Sequence, residues 1–465
     1  MTTENKRDRV LAPLTNTTRG HWILLLVFGV GSLMLLVAWI VQLTQGLYNV
    51  TALGDWGTSA EVPWGLYIGT FVWWIGIAHG GIAVSAAVRV FKLERFQTIA
   101  RIAEILTILA LAMAAANIIF DLARPERIFN TLIQWPFTVH HSPLAWDIAV
   151  VTLYLVLSLT YLTMSLRPDL AAIKHRVPFW IKPIYSFVLI GYEKGEREKT
   201  NRMLWWLAVA ILALVPLLSG GVVPWLFGLV GAQPGWYGAA AGPSMLIESL
   251  TSAVAVVIIV AAAYRYAYGW EDIIEDQIFW DLAKVLALLI IATIWLIVHD
   301  ILTGIYLGPT HVADLTMTLL ALPFFWFAVL GIVLVTVYLI AGMLRPDFLT
   351  IPGLVVASII ISVMILNKKV MFVVEGLMHP TMPPLANLYP AGTYFPSLVE
   401  WAMLIGTISV VGLGFVVIGK VIPMIELHAL EEETEFEPEV PDERTEPDRP
   451  GVAGDDIDAS GEVSD

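Results

Sequence analysis

Ten solidly apolar blocks divide the sequence, each close to 20 residues or longer, with short polar stretches rich in Pro, Gly and charge between them. At 1.5 Å per residue, about 20 helical residues cross the roughly 30 Å hydrocarbon core of a bilayer. The pattern predicts spans near 22–43, 63–90, 99–121, 144–166, 203–227, 244–267, 283–307, 317–343, 352–373 and 398–422. Apolar residues run continuously within these blocks. A transmembrane β-barrel would instead alternate with a period of two over about ten residues, so that fold is excluded. The expected fold is an all-α polytopic membrane protein with ten transmembrane helices.

Composition supports this. The chain has 465 residues, 58% hydrophobic and 14% charged, with a mean hydropathy of +0.76. An average soluble domain is about a quarter charged, so the length does not imply three soluble domains. Lys and Arg then set the orientation. With the N-terminus inside, 22 of the 26 basic residues fall on inner segments, leaving Arg124, Arg127, Lys368 and Lys369 outside. The positive-inside rule predicts both termini in the cytoplasm of a prokaryotic cell, with residues 1–21 as a cytoplasmic segment. From Glu431 to Asp465 there are 15 acids against Arg444 and Arg449, so −13 of the net −14 belongs to this stretch of the tail read as residues 426–465. That tail is expected to be disordered and solvated, and no nucleic-acid partner is expected. Cysteine is absent, which removes disulfides, thiolate zinc sites and iron–sulfur ligation by this chain. No cleavable signal is read at the start, because the first apolar run is too long for one.

An offset of about 180 residues relates spans 2–4 to spans 6–8. Pro63 maps to Pro243, Pro143 to Pro323 and Trp146 to Trp326, while Arg167-Pro168-Asp169 maps to Arg345-Pro346-Asp347 at 178. With spans 5 and 9 completing the sets, the expectation is two parallel-repeat four-helix bundles, spans 2–5 (about 63–227) and 6–9 (about 244–373). Spans 1 and 10 flank them, and the transmembrane domain covers 22–425. The second set replaces Asp121, Arg124 and Asp147 by Ile301, Gly304 and Phe327.

Ionisable residues inside spans are costly and are functional candidates by default. Asp121 and Arg124 stand where span 3 leaves the outer face, and span 4 re-enters just after His140-His141-Ser142-Pro143. Asp147 then lies about one turn below the surface. The expectation is one outer pocket holding Asp121, Arg124, His140, His141 and Asp147. A capped loop, with Ser142 as N-cap, Pro143 at N1 and Arg124 paired to Asp121, is the plainer account of part of this segment. His79, Glu104, Glu248, His299 and Asp300 suit a hydrated proton path, or alternatively hydrogen bonds between helices. Lys368, Lys369, Glu375 and His379 gather at the outer end of span 9. His79 and His299 differ in height by more than roughly 10 Å at 1.5 Å per residue, too far to share one haem iron, and no metal site is expected.

Pro63-Trp64-Gly65-Leu66-Tyr67, Ala78-His79-Gly80-Gly81, Asp121-Leu-Ala-Arg124-Pro125-Glu126-Arg127, Ser142-Pro143-Leu144-Ala145-Trp146-Asp147 and Arg167-Pro168-Asp169-Leu170 resemble the polysulfide reductase membrane-subunit (NrfD/PsrC-like) family. The ten-span layout is most similar to quinol-oxidising membrane subunits of alternative complex III. The resemblance covers about 20–425 and implies two four-helix bundles without a redox cofactor of their own. It also implies a quinone site near the outer face (menaquinone or ubiquinone) and an iron–sulfur subunit docked there, with a molybdopterin-type or cytochrome subunit beyond. By the family's pattern the quinol-site acid falls on Asp147. Asp121 occupies a position that looks like histidine in alternative complex III relatives, and Ala123 one that is often glycine.

The leading expectation is a quinone-reactive membrane subunit of a respiratory oxidoreductase, with coupling to proton translocation. A secondary transporter is the alternative, for which broken helices at matching depths would speak. Ser219-Gly220-Gly221, between Pro216 and Pro224 in span 5, is the one clear interruption.

Overall fold

The computed structural model describes residues 3–54, 62–141, 143–192, 197–230, 235–236, 238, 240–306, 310–378 and 394–427. The expected tail beyond 427, the Ser142 cap and His379 lie outside them. Among the described residues there is no β-strand, and ten helices are long and apolar enough to cross a membrane. In chain order they are α1 Arg19–Gln45, α2 Leu66–Val90, α3 Gln97–Asp121, α4 Pro143–Ile173, α5 Arg197–Leu217, α6 Ala241–Tyr268, α7 Asp276–Tyr306, α8 Pro323–Leu344, α9 Ile351–Met378 and α10 Leu398–Ile418.

Every predicted span has its helix; α7 starts at Asp276, ahead of the expected 283, and three other departures involve proline or glycine. Span 8 starts at Pro323, not at 317; the preceding apolar residues form a separate helix, Thr310–Ala321. Proline fits the first turn, where its missing N–H costs nothing. Pro168 behaves oppositely: α4 runs through it to Ile173. The Ser219-Gly220-Gly221 segment is no break. It forms a π turn, Leu218–Val222, that joins α5 to the helix Val223–Gly228.

α2 is the centre of the molecule. It packs on α3 and α5 on one side and on α6 and α9 on the other, and 89% of its apolar window is buried. Small residues make this approach possible. A Cβ at Gly80 would sit 2.7 Å from the Ser249 carbonyl oxygen of α6, and one at Gly81 would sit 2.8 Å from the Thr107 hydroxyl of α3. Helices α2–α5, the first set, and α6–α9, the second, are joined by the contact of α2 with α6, which is more extensive than that of α2 with α5, while α1 and α10 pair with each other. α1 buries almost nothing else: Trp22, Leu26, Val30 and Leu33 all point outward.

Both ends of the described chain lie on one face. The Trp270 indole, between α6 and α7, donates to the Arg9 carbonyl at 3.1 Å, and Lys420 Nζ donates to the Asn16 carbonyl at 2.7 Å. Past α10 the chain tucks under α3 and α4, burying Met424, Ile425 and Leu427. The expected tail thus begins, at Glu426 and Leu427, inside the packed body.

Candidate functional site

α4 carries Asp147, Tyr154, Ser158, Tyr161, Ser165 and Asp169 at spacings of three, four or seven, which places them on one helix face. All six are buried. They form a polar column through the first helix set, from the face opposite the termini to the face that carries them.

At its head stands Asp147, four residues and about 6 Å into α4. The neighbouring Trp146 indole donates to the Val139 carbonyl and ties the helix start to the preceding loop. Asp147 is fully buried, and neither of its carboxylate oxygens has a hydrogen-bond partner. Two turns further along, the Tyr154 ring lies 4.3 Å from the His79 ring. His79 Nδ1 meets Ser219 Oγ at 2.6 Å, so the π turn of α5 presents its serine to α2. Tyr154 OH, His79 Nε2 and Ser158 Oγ are buried and unpartnered. Buried polar atoms normally pair with protein or ordered water; this row is hydrogen-bonding capacity that the protein leaves open.

Lower down, most polar atoms of the column are paired, Arg101 Nε excepted. Arg89 Nε donates to Tyr161 OH at 2.9 Å. Glu104 accepts from Ser85 at 2.8 Å and from Ser165 at 3.0 Å. Arg101, without exposed surface, donates to Asp169 at 2.6 Å and to the Ile425 carbonyl at 3.1 Å. Glu426 pairs with Arg89 at 3.1 Å, and the Leu427 N–H donates to Asp169 at 3.2 Å. The upper part of the column can exchange partners; the lower part is clamped.

The expected outer-pocket residues differ in burial and in partners. Since neither Asp147 oxygen has a partner, no hydrogen bond joins it to Asp121, Arg124, His140 or His141. Arg124 is exposed. His140 and His141 lie at the surface and stack on each other, ring centres 3.8 Å apart. Asp121 closes α3 with one buried, unpartnered oxygen and lies within electrostatic reach of Glu400 on α10. Glu400 has no exposed surface and accepts from Tyr394 OH at 2.5 Å, the Ala52 N–H at 2.8 Å and the Ser397 N–H at 2.9 Å. Burial first, and then the Glu400 carboxylate, push the Tyr394 phenol above its ordinary value, so it stays a donor. Ser397-x-x-Glu400 is a capping box, a signal that was present in the sequence.

The proton-path candidates also divide. His79 and Glu104 belong to the column, whereas Glu248, His299 and Asp300 line a cavity of about 390 Å³ in the second helix set. There Lys368 and Lys369 each bond one oxygen of Glu248. Among the described residues no three His, Asp or Glu side chains converge as a metal-ligand set.

Ten helices long and apolar enough to cross a membrane, with a buried polar column among them, define a multi-pass membrane protein. The chain belongs to the polysulphide reductase NrfD family, whose model matches residues 55–381. It is 29% identical over 259 residues to a dimethyl sulfoxide reductase membrane subunit of Halobacterium salinarum, spanning 55% of this chain and 54% of that one. A selenate reductase subunit of Mesobacillus selenatarsenatis is 23% identical, the match taking in 83% of this chain and 90% of that one. An Hdr-like menaquinol oxidoreductase integral membrane subunit of Archaeoglobus fulgidus is 24% identical, with 84% and 94% matched.

Proposed function

We propose that the chain is the quinone-reactive membrane subunit of a multi-subunit oxidoreductase, with Asp147 as the group that exchanges protons with the quinone ring. One observation carries this: a wholly buried carboxylate at the head of the column with both oxygens unpartnered. A quinol gives up two protons with its two electrons, so a ring hydroxyl needs a base within hydrogen-bond reach. Asp147 takes such a proton when quinol is oxidised and returns it when quinone is reduced. Tyr154, His79 and Ser158 continue from it along α4 with open hydrogen-bonding capacity. We assign the proton route to this column, ending at Glu104 and Glu426, and not to Glu248, His299 and Asp300.

This chain has no cysteine, so the electrons are assigned to a partner iron–sulfur subunit of the kind that accompanies reductase membrane subunits. We place that partner on the face opposite the termini, beside Asp147, Arg124 and the His140–His141 pair. The basic residues on the termini side assign that side to the cytoplasm of a prokaryotic cell. The names of the relatives support this reading through dimethyl sulfoxide reductase, selenate reductase and menaquinol oxidoreductase.

Asp147→Asn in the assembled complex is the test. Turnover with a quinol donor should fall by about 100-fold or more, the low end of general acid–base contributions, while subunit stoichiometry is unchanged. Wild-type turnover in that variant would falsify the assignment.

A further inference from the structure

The cavity of the second helix set takes no part in the column: no residue of α4 lines it. Its volume of about 390 Å³ falls within the range of roughly 300–1,000 Å³ typical of small-molecule sites. Met245, Ile297, Phe325, Ile332 and Phe372 supply a largely apolar and partly flat wall.

Two polar atoms on that wall lack partners. Ser244 Oγ and Glu375 Oε1 are buried, their residues 5% and 8% exposed, with no hydrogen bond. On the same helix as Ser244, Ser252 Oγ is likewise buried and unpartnered. Ser249 and Thr251 of α6 bond back to carbonyls one turn earlier, at 2.6 and 2.7 Å, and Ser244 does not. Leaving such groups unpaired is costly, so the wall suits a ligand that brings hydrogen-bonding groups.

Charge and access narrow the chemistry. Lys368 and Lys369 are both taken by Glu248, and Asp300 and Glu375 remain on the wall. An anionic headgroup would meet more acids than free cations there, whereas a neutral hydroxyl donor would meet acceptors. His299 is exposed, on the same side of α7 as the outward-facing Trp295, Val298 and Leu302. Entry is therefore from the bilayer.

We propose that this cavity is a second binding site for a quinol, independent of Asp147, with Glu375 and Ser244 as its hydrogen-bond partners and Phe325 and Phe372 among its walls. The site stands on its geometry; the identity of the ligand rests on the quinone reading above.

The experiment uses the assembled complex in phosphatidylcholine nanodiscs, an azido-naphthoquinol photoprobe, and peptide mapping of the label. Labelling is expected in α6, α8 or α9 as well as beside α4. Glu375→Gln and Ser244→Ala should each weaken the second-set labelling by about tenfold, a loss of roughly 1.4 kcal/mol. Ala328→Leu, which fills the cavity, should remove that labelling while quinol turnover persists. Label confined to α4, unchanged affinity in all three variants, or displacement by phosphatidylglycerol but not by unlabelled quinol would each overturn the proposal. Asp147→Asn, run in parallel, keeps the two readings apart. It tests turnover at the first site, and the labelling of α6, α8 and α9 decides the second whatever that result.

Discussion

Arg101 shows how a charge survives inside this molecule. It has no exposed surface, and Asp169, the Ser165 carbonyl and the Ile425 carbonyl all accept from it. Removing one partner of a buried ion pair strands the other and costs roughly 3–5 kcal/mol. Arg101→Ala should therefore lower the yield and melting temperature of the purified chain sharply, and Arg101→Ala with Asp169→Ala should recover part of the loss. Tyr154 is the opposite case. Its hydroxyl has no protein partner, so Tyr154→Phe should leave the melting temperature within a degree or two while slowing proton uptake in sealed vesicles. Asp300→Asn should leave proton uptake per electron unchanged, and a selective loss there would return the proton route to α7. The acids and histidines were legible in the sequence because hydropathy marks any charge inside a span. Tyr154, Ser158, Tyr161 and Ser165 escaped because hydroxyl residues are ordinary in membrane helices. Only their shared face makes a column of them, a periodicity that was there to be counted. The Asp121–Glu400 neighbourhood was hidden, since nothing local links residues 279 positions apart.

At the scale of the element, hydropathy located all ten spans, and breaker residues set their ends less reliably. Pro323 starts a helix and Pro168 is absorbed by one; which occurs depends on packing that a single sequence does not display. The flexible Ser-Gly-Gly of α5 became a π turn because Ser219 gains a bond to His79. Alanine at 219 should thus preserve the fold but release the His79 ring, read as a changed environment of that imidazole by NMR. The closeness of α2 to α6 is a stricter constraint. Gly80→Leu would force a side chain into the Ser249 backbone, and overpacking of this kind typically costs 1–3 kcal/mol. The expected result is a loss of folded yield, whereas a substitution at the outward-facing Leu33 of α1 should have little effect.

For the whole molecule, the fourth and eighth spans begin alike. Pro143 and Pro323 open α4 and α8, and the indoles of Trp146 and Trp326 each donate to a carbonyl of the preceding short helix or loop, Val139 and Leu320. This favours the proposed duplication. The halves meet along α2 and α6, and the termini face is sealed by the segment after α10. A chain ended after Leu427 should melt like the full-length protein. One ended after Ile422 loses the Ile425 carbonyl, Glu426 and the Leu427 N–H that Arg101, Arg89 and Asp169 use, and should melt several degrees lower.

The position of α2 has a consequence for how the protein is made. Ribosomes deliver this helix second of the ten. The surfaces that enclose it on one side belong to α6 and α9, which do not exist until most of the chain has been translated. For that interval the flank that carries Gly69, Gly76 and Gly80 stands in lipid without the helices it is shaped to meet. The nascent chain must therefore be held at the translocon, or by a membrane chaperone, until the second half arrives, and the first half alone is a poor candidate for independent expression.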